Sequence, residues 1–177
     1  MLTKNQAFQL CLLGVAFILP TNIYLIGEEG LGAGLQCSIF RYQQTYLGTS
    51  LITLVDDLGY VTSGTIGGRS AVAILLWALG TAFLVAAIAY FVARRQEGCE
   101  AFRRPLALLT AGGAVAYLLS CVAQYGPTLY GPAGFAVPVG VPLILAVAVY
   151  ILKAEEDDEL EDEEEEGDYG GEVEEEQ

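Results

Sequence analysis

Histidine is absent from all 177 residues. That removes the side chain that most often titrates near neutral pH and most often ligates metals. Cysteine occurs four times, at Cys11, Cys37, Cys99 and Cys121. No two of these form a Cys-x-x-Cys pair, so neither a zinc-knuckle nor a thioredoxin-type redox motif is written in the chain. Phosphate-loop, dinucleotide and Gly-x-Ser-x-Gly patterns are missing as well. Lysine and arginine together number eight, and their one cluster is a short loop between apolar segments, which cannot supply the basic face that a nucleic acid requires. No metal, cofactor or nucleic-acid partner is expected, and a catalytic reading loses most of its usual side chains.

Charge is missing most completely from four long apolar runs, about Ala7 to Ile26, Ala71 to Val92, Pro105 to Ala123 and Ala133 to Leu152, none of which holds Asp, Glu, Lys or Arg. The chain is 54% hydrophobic with a mean hydropathy of +0.47. A hydrocarbon core about 30 Å thick takes roughly 20 apolar residues of helix. The pattern therefore predicts an all-α integral membrane protein: a bundle of four transmembrane helices over residues 7–26, 71–92, 105–123 and 133–152. Short loops rich in arginine stay in the cytoplasm. The loop over residues 93–104 is flanked by Arg94, Arg95, Arg103 and Arg104, which puts that loop and both termini inside and residues 27–70 outside, in the cell membrane. Lys4 and the first run could also serve as a signal peptide, but no small-x-small cleavage pattern follows.

Helices in lipid associate through small residues that let backbones approach. Ala78, Ala82 and Ala86 in the second run, and Gly112, Ala116 and Ser120 in the third, recur every fourth residue. They predict a tight antiparallel hairpin. Pro20, Pro138 and Pro142 predict kinks in the first and fourth runs, because a proline removes a backbone donor.

The outer segment is the only extramembrane part apolar enough to fold. Leu51, Leu54, Val55 and Leu58 have the spacing of a short amphipathic helix, with Asp56 and Asp57 on the other side. The β-branched and aromatic content of CSIFRYQQTYL suits a strand equally, so a small β-hairpin is the other reading. Glu28 with Glu29 and Asp56 with Asp57 are paired carboxylates, a pattern that chelates calcium or shuttles protons but is more commonly a solvated loop. Phe40, Arg41, Tyr42 and Tyr46 combine aromatics with arginine, the residue types that dominate contact hot spots, and are the candidate partner-contact group.

The remaining charge is gathered at one end. Residues 1–152 hold seven basic and six acidic side chains, whereas residues 153–177 hold Lys153 against sixteen acids, net −15 within a chain total of −14. Such a tail cannot bury enough surface to offset its ordering entropy and is expected to be disordered. With only two lysines and abundant Ala, Gly, Val and acids, the composition is of the halophilic type.

With both ends inside, a larger first outer loop carrying Gly34-Leu35-Gln36-Cys37, and Arg69 at the mouth of the second span, the layout resembles the claudin type of junctional protein. That family keeps a tryptophan-flanked motif and a pair of outer cysteines. This chain departs from it in having Gln36 where an aromatic would stand, a single outer cysteine, and Trp77 within a span. The likeness is one of layout, and no residue role is carried over. The function expected is that of a non-catalytic multi-pass protein, a structural, adaptor or assembly component that contacts another membrane protein or its own copies through the outer segment. An oligomeric pore is the alternative, and a membrane enzyme ranks below both.

Overall fold

Two prolines decide the architecture. The computed structural model describes residues 4–27, 31–94, 100–131 and 134–153. The first apolar run enters as helix α1 (Lys4–Ile18) and ends just before Pro20; the residues that follow, Asn22–Ile26, form strand β1. The fourth run does the reverse. Gly134–Val137 is a strand, Pro138 follows it, and only Gly140–Lys153 is helical. The expected all-α bundle of four transmembrane helices is thereby overturned. The described residues form a six-stranded antiparallel sheet and five helices, of which only two are long and apolar enough to cross a membrane. The physical reason is that a short apolar run without periodicity does not distinguish strand from helix. NIYLI and GFAV are strand-formers, and each proline lets its run change conformation.

In chain order, β1 is followed by β2 (Gly32–Gln36), β3 (Phe40–Thr45), β4 (Gly48–Thr53), α2 (Leu54–Thr62), α3 (Gly68–Arg94), α4 (Glu100–Tyr125), β5 (Tyr130–Gly131), β6 (Gly134–Val137) and α5 (Gly140–Lys153). The sheet runs β4-β3-β2-β1-β6-β5. Four strands thus come from the first connection and two from the second, joined where Ile23 pairs Val137 and Ile26 pairs Gly134. Gly134 sits at φ +124°, and a Cβ there would run into the Leu25 carbonyl oxygen. At the break itself, Gly140 N–H donates to the Thr21 carbonyl at 3.1 Å, so the end of α1 and the start of α5 rest on one another. The helix and the hairpin weighed for the outer segment both form, with Leu51 on β4 and the helix starting at Leu54. Thr53 and Asp56 make a reciprocal capping box there.

The four longer helices form one layer around two apolar clusters. Leu13, Phe91, Leu106, Val147 and Ile151 belong to the cluster farther from the sheet. Trp77, Leu84, Tyr117, Val141 and Ile144 belong to the nearer one. Helices α3 and α4 meet most closely at glycine: a Cβ on Gly80 would lie 2.8 Å from the Tyr117 ring and 3.2 Å from the Gly113 carbonyl oxygen. Ser120 Oγ donates to the Ala73 carbonyl across the same interface at 2.7 Å. Of the small residues expected to line it, Ala116 and Ser120 are buried, Ala78 and Gly112 half-buried, and Ala82 and Ala86 exposed. The chain order puts Ile18, Gly68, Tyr125 and Gly140 at the sheet end of the layer, and Lys4, Arg94 and Lys153 at the far end. Arg95, Cys99, Glu28, Glu29 and the acidic tail from residue 154 lie outside the described residues.

Gly80→Val is expected to destabilise the chain by about 1–3 kcal/mol, because the added carbons have no room against Tyr117. Gly112→Ala, whose Cβ would sit at an ordinary 3.6 Å from Phe83, should be close to neutral. Thermal unfolding of the two variants in detergent, followed by Trp77 fluorescence, separates these outcomes.

Candidate functional site

Strand pairing sorts the sheet's side chains into rows, and the rows have unexpected polarity. A sheet that covers helices on one side usually turns its apolar residues toward them. Here the row Asn22, Gln36, Arg41 crosses β1, β2 and β3 in register and faces the helix ends. The opposite face carries Leu51, Tyr42, Leu35, Ile23 and Val137, one residue from each of five consecutive strands, again in register. Beside that row, Leu25 pairs Phe135, and Phe135 pairs Tyr130. All of these except the half-buried Leu35 are exposed. At the β3–β4 turn, Tyr46 and Leu47 are exposed by 77% and 82%, a second apolar surface at the tip of the hairpin, separated from the row by Gln44 and Thr49. No charged residue stands in these rows.

The four candidate contact residues are thereby divided. Tyr42 lies on the outer face with Phe40 two residues before it, and Tyr46 sits at the tip. Arg41 points the other way, where its Nη2 donates to Asp57 Oδ1 at 2.8 Å. Asp57 is 0% exposed and is held on α2, so this pair clips α2 to the inner side of β3. The neighbouring Asp56 is engaged elsewhere, its carboxylate accepting from the Thr53 N–H at 3.1 Å and from the Thr53 hydroxyl at 2.6 Å. The adjacent acids therefore serve as a helix cap and an ion pair and do not converge on a ligand.

Behind the clip is a half-open cavity of about 50 Å³, lined by the inner row, by Asp57, by Ala73, Ile74 and Trp77 of α3, and by the last turns of α4 as far as Tyr125. The β2–β3 link reaches past it into the helix layer. There Trp77 Nε1 donates to the Cys37 carbonyl at 2.9 Å, and the Thr81 hydroxyl donates to the Ser38 carbonyl at 2.5 Å. Cys37 is buried, and burial pushes its thiol up; it is no handle for surface chemistry. Sequence reasoning missed the inner row, since Asn22 and Gln36 lie in segments without alternation. The Thr53-x-x-Asp56 signature was the available clue. It starts a helix at Leu54, which leaves Leu51 to a strand.

Burial raises the Asp57 carboxyl above the ordinary carboxylate range, with Arg41 pulling it back only in part. The Thr53 hydrogen bonds lower that of Asp56. The folded chain holds the Asp57 proton more tightly than the unfolded chain, so this group's stability contribution is complete at acid pH and is lost as pH rises through the raised folded pKa. The Asp56 contribution has the opposite sign, complete above the ordinary carboxylate range and lost as pH falls. Asp57→Asn should abolish the first dependence and keep the second, read as unfolding temperature against pH. Arg41→Met leaves a buried carboxylate without its partner and should cost about 3 kcal/mol at neutral pH, most of which Arg41→Met/Asp57→Leu recovers. No family model matches the chain, and no curated protein matches it.

Proposed function

We propose that this chain is a non-catalytic multi-pass membrane protein, a structural or adaptor component that holds another membrane protein, or further copies of itself, through the outer face and tip of its sheet. The observation that carries the reading is the apolar row across five strands. A water-facing sheet surface is ordinarily polar, and a contiguous apolar patch on a folded chain marks a contact surface. Aromatic and aliphatic side chains free of charge are also what the buried centre of an interface is made of.

The outward sides of the helices support the membrane part. Val72, Leu75, Leu79 and Val85 on α3, and Leu108, Val115 and Leu119 on α4, are exposed; an apolar exterior on helices this long suits lipid and not water. Helices α3 and α4 form the spanning pair, and the shorter α1 and α5 pack along them. Lys4, Arg94, Arg104 and Lys153 gather at the end far from the sheet, which by the positive-inside rule faces the cytoplasm and leaves the sheet outside the cell membrane. Asp56 and Asp57 are the acids that a catalytic reading would use, and both are committed to local structure.

An opposed pair of charges in the row, Tyr42→Lys/Leu51→Glu, which face each other across β3 and β4, tests the proposal. Both positions are exposed, so the unfolding temperature should not change. Chains purified from native membranes in mild detergent should lose their bound protein or their self-association. A wild-type chain that purifies alone and monomeric, or a variant that keeps its companions, would refute it.

A further inference from the structure

Four buried side-chain atoms in the described residues have no hydrogen-bond partner, and three of them, Asn22 Oδ1, Arg41 Nε and Asp57 Oδ2, belong to residues that line the cavity behind the sheet. Asn22 is 2% exposed and Asp57 0%. Unpaired polar atoms at that depth are costly, so each calls for a partner within reach. None of the three atoms finds one in the protein, although they are carried by three different elements, β1, β3 and α2.

The three atoms specify the chemistry of what fits between them. Two accept and one donates. An anion would meet two oxygens, one of them part of a carboxylate. A bare cation would meet the Arg41 guanidinium, which already holds the other oxygen of the same carboxylate at 2.8 Å. The Arg41–Asp57 pair leaves the site without net charge, which favours a neutral guest. At about 50 Å³ the cavity admits only a very small one, roughly one to three water-sized groups. From these constraints we infer that the cavity is the binding site of a small neutral hydrogen-bonding molecule that gives two hydrogens and receives one, and that this molecule is water. Its two O–H groups reach Asn22 Oδ1 and Asp57 Oδ2, and its lone pair takes the Arg41 Nε–H. The joint between sheet and helices is therefore wet, and β1, β3 and α2 are tied together through a bound solvent molecule. This site is independent of the outer face on which the proposed function rests.

Hydroxyl-radical labelling by X-ray radiolysis tests the inference on the full chain in lipid nanodiscs, because radicals form from water held in place and mark the side chains beside it. Trp77 lines the cavity at 1% exposure, whereas Phe91 is equally buried in an apolar cluster farther along the same helix. After correction for intrinsic reactivity, Trp77 should be labelled severalfold faster than Phe91. Asn22→Leu, of nearly the same shape, should bring Trp77 down to the rate of Phe91. Equal labelling of Trp77 and Phe91 in the wild-type chain overturns the inference even if Asn22→Leu fails to fold. So does an atomic-resolution structure in which Arg41 Nε bonds Asp57 Oδ2 directly, or one with an ion in the cavity.

Discussion

The pairing of β1 with β6 is the contact on which the remaining architecture depends. Without it the first connection would be a four-stranded meander and the second a two-stranded scrap, and a lone two-stranded ribbon is marginal in water. Ile23 to Ile26 against Val137 to Gly134 turns the two into a single sheet. Because β1 grows directly out of α1 and β6 leads directly into α5, the same ladder fixes the positions of both outer helices. Gly134 is what allows the ladder to close, since any side chain there would strike the Leu25 carbonyl.

The sheet so assembled is apolar on the wrong side for a soluble protein. Polar residues face the helix ends, where Arg41 is paired with Asp57 and Thr21 with the Gln36 carbonyl. Apolar residues face outward. This inversion explains why the clip between α2 and β3 matters more than a surface ion pair would. Desolvated charges are tolerable only together, and here the partners belong to different elements. The inner row thus sets how α2 and the sheet stand on the helix layer, while the outer row is left for contact.

Much of this was legible in the chain. The two central runs, free of charge and about twenty residues long, read as helices and are helices. A short helix through Leu54, Val55 and Leu58 and the strand character of CSIFRYQQTYL were both visible, as alternatives for the outer segment when in fact they follow one another; the spacing from Leu51 starts the helix one turn too early. The outer runs were misjudged because Ile23, Tyr24 and Leu25 continue the apolar run of the leucines before them, and hydropathy carries no information about backbone conformation. Pro20 and Pro138 held that information, as stops and not as bends. The inner row could not be found from the sequence, since the partners of Asn22 and Arg41 are set by cross-strand register, and register depends on pairings distant in the chain.

Ile26 and Gly134 are neighbours in space although more than a hundred residues separate them. Closing so long a loop is slow unless something shortens it, and the α3–α4 hairpin is the shortcut. It leaves from the sheet end and returns to it, so that Tyr125 is delivered beside Tyr24, the rings 6.4 Å apart. The order of events in making this molecule is therefore dictated by its wiring: the meander can form as soon as its own residues emerge, but its far flank stays open until the hairpin has doubled back and handed over the last two strands.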